Sequence, residues 1–236
     1  MINPLQSFVI HKKWSGETSA QVSFFTQEAG LIQGLCRGGR TPKKQAHLQL
    51  FTPLWLYLNE RYHRYYVQSI ESLHPTFDLA GHALFAGFYM NELLYHSLSP
   101  LEPEPELFKA YAHTLQAMAD GASQGQALES LLRRFEWSLL KTLGYSFSLT
   151  QEAYCNTPIL EEKYYGFIPT EGFVLQSQGI LGSHILALST DNLTNTEYLQ
   201  TAKKIMRQAI DNLLGGREIK ARALYKDLTQ RSNYDK

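Results

Sequence analysis

Leu79-Ala-Gly-His-Ala-Leu-Phe-Ala-Gly-Phe-Tyr-Met-Asn-Glu-Leu-Leu-Tyr-His-Ser-Leu98 divides this chain into two kinds of sequence. It contains no proline and is bounded by Pro75 and Pro100. Ala80, Leu84, Phe88 and Leu94 fall close to one helical face, and Phe85, Tyr89, Tyr95 and Leu98 widen it to most of the circumference. A helix that is apolar nearly all round is a buried helix. At about 20 residues it is roughly 30 Å long, enough to cross a domain. Gly81 and Gly87 each cost about 1 kcal/mol against alanine inside a helix. They predict a backbone or helix packed closely against them. Upstream of this segment the pattern is that of strands; downstream it is that of helices.

Upstream, Gln6–Lys13 and Glu17–Thr26 read as strands, the second with Ala20, Val22 and Phe24 on one side. Gln27-Glu-Ala-Gly30 supplies a turn in which Gly30 is free to take positive φ. Leu31–Cys36 is a third strand, and Arg37-Gly-Gly-Arg-Thr-Pro-Lys-Lys44 is a loop by composition. Leu48–Leu58 is a fourth strand, with Leu54, Leu56 and Leu58 facing one way and Trp55 and Tyr57 the other. Pro53 marks an edge or a bulge in it. Arg61–Leu73 is a fifth strand, rich in Tyr62, Tyr65, Tyr66 and Val67. Five short strands in this span fit a small barrel such as the OB-fold, with an SH3-like barrel as the rival.

Downstream, Ser99–Glu106 is a proline-punctuated acidic loop whose carboxylates complement the dipole of a helix over about 105–119. Gln126–Leu143 is the next helix, with a stripe of Leu128, Leu131, Leu132, Phe135, Leu139 and Leu143, and Gly144 as its C-cap. Residues 145–190 are irregular, with a small hairpin over Tyr164–Phe167 and Gly172–Leu175. Asn195-Thr-Glu197 opens a helix to about Leu214, stopped by Gly215-Gly216, and Glu218–Gln230 forms a final short helix. The fold class is therefore α+β. A five-stranded OB-fold barrel over residues 1–78 precedes a mainly α-helical domain over 79–236, with an irregular insert at about 145–190.

The formal net charge of +0 hides an uneven distribution. Residues 1–78 carry eight Lys/Arg against five Asp/Glu, residues 79–195 five against twelve, and residues 196–236 nine against five. Basic ends around an acidic middle offer two places for an anion to dock. No apolar run is long enough for a membrane span and the N-terminus opens no signal peptide, so a cytoplasmic protein that touches no membrane is expected. Cys36 and Cys155 are expected as free thiols.

Catalytic signatures are lacking. There is no P-loop, no G-x-G-x-x-G, no H-E-x-x-H and no G-x-S-x-G. Ser138-Leu-Leu-Lys141 matches S-x-x-K without its partner motifs, on the polar face of a helix. The eight histidines are scattered and Cys155 has no C-x-x-C neighbour, so neither a metal site nor a cofactor is expected. Glu92, inside the apolar helix, needs a partner there: neighbouring backbone or an arginine such as Arg134. What remains is binding. Lys12, Lys13, Arg37, Arg40, Lys43 and Lys44 are dense, and Gly38 and Gly39 make their loop mobile enough to follow a phosphate backbone. Trp55, Tyr57, Tyr62, Tyr65 and Tyr66 offer rings for bases, although strands also bury such rings in cores.

Several stretches together resemble the RecO family of bacterial recombination and repair proteins. They are Phe8-Val-Ile-His-Lys-Lys-Trp-Ser-Gly-Glu-Thr-Ser19; Phe25-Thr-Gln-Glu-Ala-Gly30 followed by Arg37-Gly-Gly-Arg40; Leu48-Gln-Leu-Phe-Thr-Pro-Leu54; Leu84–Leu94; Leu132-Arg-Arg-Phe-Glu136 with Leu143-Gly-Tyr145; and Ala202-Lys-Lys through Leu214-Gly-Gly-Arg217, followed by Lys220 and Arg222. The resemblance implies an N-terminal OB-fold, a helical C-terminal domain and a non-catalytic mediator associated with the nucleoid. It implies binding of single- and double-stranded DNA, and annealing of complementary strands, including strands coated by single-strand-binding protein (SSB). It implies work with RecR, and in some cases RecF, in loading RecA. The family's basic loop matches Arg37, Arg40, Lys43 and Lys44. A second basic surface matches Lys203, Lys204, Arg207, Arg217, Lys220 and Arg222. The contact with the acidic SSB tail carries over to Arg133 or Arg134. Some members hold zinc with four cysteines after the segment equivalent to Leu143-Gly-Tyr145. Here only Cys155 is left, and no metal is expected.

A structural adaptor that touches DNA weakly is the rival reading, favoured by the low net charge. A nuclease would need a carboxylate cluster that the sequence lacks.

Overall fold

The computed structural model describes residues 4–223. Among the described residues, compact packing separates two units, one of residues up to 123 together with those from 219 onward, the other of residues 124–218.

In the first unit, β1 (Leu5–Ser15), β2 (Ser19–Thr26), β3 (Gly30–Cys36), β4 (Leu54–Arg61) and β5 (Arg64–Ser72) close into a barrel of order β1-β2-β3-β5-β4. All pairings are antiparallel except β3 with β5. A short helix, α1 (Pro42–His47), lies between β3 and β4. This is the five-stranded OB architecture, and the parallel β3–β5 closure sets aside the SH3-like alternative. The core is Leu5, Val9, Ala20, Val22, Phe24, Ile32, Cys36, Leu48, Leu54, Leu56 and Leu58.

Three expectations for this part change. The 37–44 segment is not all loop, because Pro42 starts α1 at the position where its missing N–H costs nothing. The fourth strand starts at Leu54 rather than Leu48. Residues 48–53 instead turn through Phe51, which takes φ 62 and is buried. The fifth strand starts at Arg64, because Tyr62 and His63 form a two-residue hairpin turn.

The first half of β1 and the second half of β2 are buried on both faces. Phe8 and Phe25 point away from the barrel core and meet Phe108 and Tyr111, with ring centroids 5.1–6.1 Å apart. Both aromatic partners belong to α3 (Pro105–Ala119). A strand covered on both sides reads as a continuous apolar run rather than an alternation. That explains why Phe8-Val9-Ile10 and Phe24-Phe25 are adjacent apolar residues.

The apolar segment forms α2 (Gly81–Ser97), and from His82 to its end no residue is fully exposed. Its deepest face is Ala83, Ala86, Gly87, Met90, Leu93 and Leu94, not the expected row through Ala80, which is exposed. Gly87 is required by packing: a Cβ there would lie 2.8 Å from two ring carbons of Phe51. The neighbour is a side chain, not another helix. Gly81 is not crowded; it takes φ +52 at the helix start. The Glu92 carboxylate accepts the backbone N–H groups of Lys220 and Ala221, both at 2.9 Å. It therefore caps helical backbone over 220–223. Arg134 is not its partner. The remainder of the helix expected to Gln230, residues 224–230, lies outside the described residues.

In the second unit, α4 (Gly125–Thr142) ends as expected. Gly144 takes φ +78, the Tyr145 N–H donates to the Leu140 carbonyl at 2.8 Å and the Gly144 N–H to Lys141 at 3.3 Å. This is a Schellman cap. The 145–190 region is more regular than expected. Strands β6 (Tyr164–Ile168), β7 (Gly172–Gln176) and β8 (Ile180–Leu181) form a sheet of order β7-β6-β8, followed by the helix α5 (Gly182–Ser189). Phe147, Phe167 and Phe173 pack together above Trp137 of α4, which gives the region its own aromatic core. Helix α6 (Thr196–Leu213) is opened by Asn195, whose side chain accepts the Glu197 N–H at 2.7 Å. No described helix is long and apolar enough to cross a membrane.

Candidate nucleic-acid interface

One end of the barrel is built from the β1–β2 turn, the β3–α1 loop and α1. What positions its side chains begins inside β1. Val9 pairs with Phe24 and His11 with Ser23, so Ile10 is an extra residue in the ladder. Such a bulge reverses which residues face in. After it, Lys12 and Trp14 share a face with the core residues Val22 and Ala20, while His11 and Lys13 face outward. Lys12 Nζ donates to the Leu48 carbonyl at 3.2 Å and is half-buried; Lys13 is exposed. The two adjacent lysines therefore do different things. Outside, the His11 ring stacks on Tyr95 at 4.3 Å. Desolvation, and then the Lys13 charge, hold the His11 pKa below the usual histidine value.

The two glycines of Arg37-Gly-Gly-Arg40 fix the loop rather than loosen it, against expectation. Gly38 takes φ +67, open to glycine at no steric cost. Gly39 is buried, and a Cβ on it would lie 2.8 Å from the Ala20 Cβ and 3.0 Å from the Cys36 carbonyl oxygen. Backbone N–H groups of Gly39, Arg40 and Thr41 donate to Cys36, Thr18 and Gly38 at 3.0–3.1 Å. The loop is a fixed mount.

On that mount the Arg40 guanidinium lies 5.2 Å from the Trp14 ring centroid, and its Nη1 donates to the Gly16 and Glu17 carbonyls at 3.1 and 3.4 Å. Arg37 lies 5.3 Å over Tyr66, and Lys44 Nζ donates to the Arg37 carbonyl at 2.6 Å. Arg37, Arg40, Lys43 and Lys44 are all exposed, and none has an ion pair among the described residues. Trp14 is 44% exposed. The arrangement can present several cations and a flat apolar ring to one polyanion, in geometry that needs no reordering on contact.

Of the rings expected to meet bases, Tyr65 packs against the barrel core, and Trp55 and Tyr57 are half-buried. Tyr62 is fully exposed, and Tyr66 lies under Arg37. Trp14 is a candidate site residue that composition does not single out. The bulge that turns it inward toward Arg40 leaves no mark in the sequence beyond a broken alternation.

The other expected site residues divide. Lys203, Lys204 and Arg207 are exposed on α6, but Lys203 pairs with Glu129 at 2.6 Å and Arg207 lies 3.8 Å from Asp211. Arg217 follows Gly215-Gly216 in the same unit. Lys220 and Arg222 belong to the first unit, where Lys220 is exposed and Arg222 lies 5.5 Å over the Tyr89 ring. Arg133 is buried, with Nη2 donating to Glu136 at 2.7 Å and Nε without a hydrogen-bond partner among the described residues. It cannot be a surface contact as expected. Arg134 is exposed, its Nε donating to both Asp191 carboxylate oxygens at 3.0 and 2.8 Å. Cys155 is exposed and Cys36 buried, both as thiols, and no group of metal-ligating side chains occurs among the described residues.

Comparison with known proteins gives consistent matches over most of the chain. The family model described as "Recombination protein O N terminal" matches residues 1–76, and "Recombination protein O C terminal" matches residues 79–223. The chain is 55% identical over 222 residues to the DNA repair protein RecO of Legionella pneumophila strain Corby, covering 94% of this chain and 96% of the relative. It is 34% identical over 229 residues to the DNA repair protein RecO of Actinobacillus pleuropneumoniae serotype 7, covering 94% of each. With the protein of that name from Pseudomonas paraeruginosa the identity is 38% over 223 residues, covering 93% of each.

Proposed function

The chain belongs to the RecO family of DNA repair proteins, and from that premise we propose that it is a non-catalytic mediator that holds DNA strands and pairs them. It binds single- and double-stranded DNA through Arg37, Arg40, Lys43, Lys44 and Lys13, with Trp14 as the ring beside them. Lys12 acts indirectly by holding the α1 end of the mount. A second cationic group, Lys203, Lys204, Arg207 and Arg217, takes another strand. Two strands held by one molecule pair at raised local concentration, and neutralised phosphates repel less. The SSB tail engages Arg134, which brings the protein to coated strands in the cytoplasm. RecR, and where present RecF, then act with it in loading RecA.

The observation that carries this reading is the fixed mount at the barrel end. Four exposed cations stand on a loop and the short helix it leads into, the loop's glycines placed by packing and φ, next to a half-exposed indole. The experiment is annealing of SSB-coated complementary strands by the purified protein. Wild type should accelerate pairing, steeply less at higher salt. Arg37→Glu/Arg40→Glu/Lys43→Glu/Lys44→Glu, shown to be folded by circular dichroism, should lose at least tenfold in rate. Undiminished annealing by that variant rejects the assignment.

A further inference from the structure

The β4–β5 hairpin ends in Arg61-Tyr62-His63-Arg64, and three of its features run against local stability. Arg61 and Arg64 are directly opposed in the ladder, where like charges repel. Both are exposed, and neither has an ion pair among the described residues. Glu60 does not relieve them, because it pairs with Tyr65 on the other face of the ribbon. Tyr62 and His63 take φ 50 and 57, the two-residue turn that Asn-Gly fills without strain. Tyr62 is 95% exposed, so its ring has no packing role. Places where every local rule is broken at once are where function is to be looked for.

The tip is also continuous with the mount. Alternation along β5 puts Arg64 and Tyr66 on one face, about 7 Å apart. Asn59 stands opposite Tyr66, and Arg37 lies over the Tyr66 ring. Lys44 holds the Arg37 carbonyl. The row thus runs from Tyr62 through the opposed arginines, Arg37 and Lys44 to Arg40 and Trp14. It has cations along its length and an accessible ring at each end. Accessible rings need unstacked base faces, which a duplex does not offer.

We propose that Arg61, Tyr62 and Arg64 are a distal anchor for a single strand whose other end lies at Trp14. Tyr62 stacks on an unpaired base and the two arginines take adjacent phosphates. The inference rests on the nucleic-acid reading above and adds to it a footprint and a strand preference.

The test uses the full chain and labelled oligothymidylates of about 4 to 16 nucleotides, the range of site sizes for such barrels. Tyr62→Asn places a residue suited to the turn, so its unfolding midpoint should not fall. Wild-type affinity should rise with length to a plateau. In Tyr62→Asn the plateau should come at a shorter length and the longest strands should bind about 5- to 100-fold more weakly. The shortest strands should bind as they do to wild type, and the salt slope should be kept. Arg61→Gln/Arg64→Gln should lower the slope of log affinity on log salt by about 1.4. Wild-type behaviour of both variants at every length overturns the anchor, as does a loss equal at all lengths. Failure of the parent reading looks different: wild type would then bind no length, or Arg37→Glu/Arg40→Glu would bind every length normally.

Discussion

The Arg40 guanidinium covers one face of the Trp14 indole, 5.2 Å from centroid to Cζ, while its Nη1 donates to the Gly16 and Glu17 carbonyls of the turn that leads from Trp14 into β2. One side chain therefore ties together the two loops at the barrel end. The fork of Arg40 is used for shape as well as for charge.

Arg40→Lys tests that statement. It keeps the positive charge but loses the planar stack and the pair of directed contacts. Single-strand affinity should drop several-fold, with the salt slope nearly unchanged, and the tryptophan emission of the free protein should shift as Trp14 becomes more solvated. An affinity equal to wild type would mean that charge alone matters there.

Gly39→Ala should destabilise by about 1–3 kcal/mol, because the added methyl meets Ala20 and the Cys36 carbonyl in a filled space. Gly38→Asn should be nearly silent, since asparagine tolerates φ +67. Urea midpoints of the two variants separate packing from φ. Equal midpoints for the two variants would mean that the loop is flexible and Gly39 is not held by packing.

Glu136→Ala should cost about 3–5 kcal/mol, because it leaves the Arg133 guanidinium without its anion in a buried place. Arg134→Ala removes an exposed pair with Asp191 and should cost at most about 1 kcal/mol. Arg134→Ala is accordingly the usable probe for tail binding: it should weaken capture of an SSB tail peptide while naked-strand affinity stays. Thermal unfolding and peptide titration of both variants give the comparison.

His11 supplies a pH dependence. Its folded pKa lies below the usual value, by desolvation against Tyr95 and then by the Lys13 charge. The unfolded chain therefore binds more protons in the window below about pH 6.5, and stability contributed by the neutral ring falls as pH drops through that window. Lys13→Gln should raise the midpoint of the His11 resonance in an NMR titration, though not fully. A midpoint at or above 6.5 in wild type would contradict the cause given.

Much of this molecule was legible because its residues carry local signals. Pro105, Asn195, Gly144 and Gly215-Gly216 mark helix ends, and Leu54, Leu56 and Leu58 alternate into the core as read. What escaped depended on distant partners. Phe8 and Phe25 look like ordinary strand residues until α3 covers their outer face. Arg133 reads as a surface cation until Glu136 and burial claim it. The 145–190 region needs Trp137, ten residues before Phe147, to show that Phe147 belongs to a core. Among the candidate site residues, Arg37, Arg40, Lys43 and Lys44 came from composition, whereas Trp14 needed a one-residue ladder slip that no pattern announces.

The double-sided burial of β1 and β2 has a practical corollary for anyone who trims this protein. A fragment cut where the strands give way to helices would bare Phe8 and Phe25 to water, because Phe108 and Tyr111 are the rings that shield them. Such a fragment would carry a sticky aromatic flank and self-associate, whereas one carried through residue 123 would keep its shield.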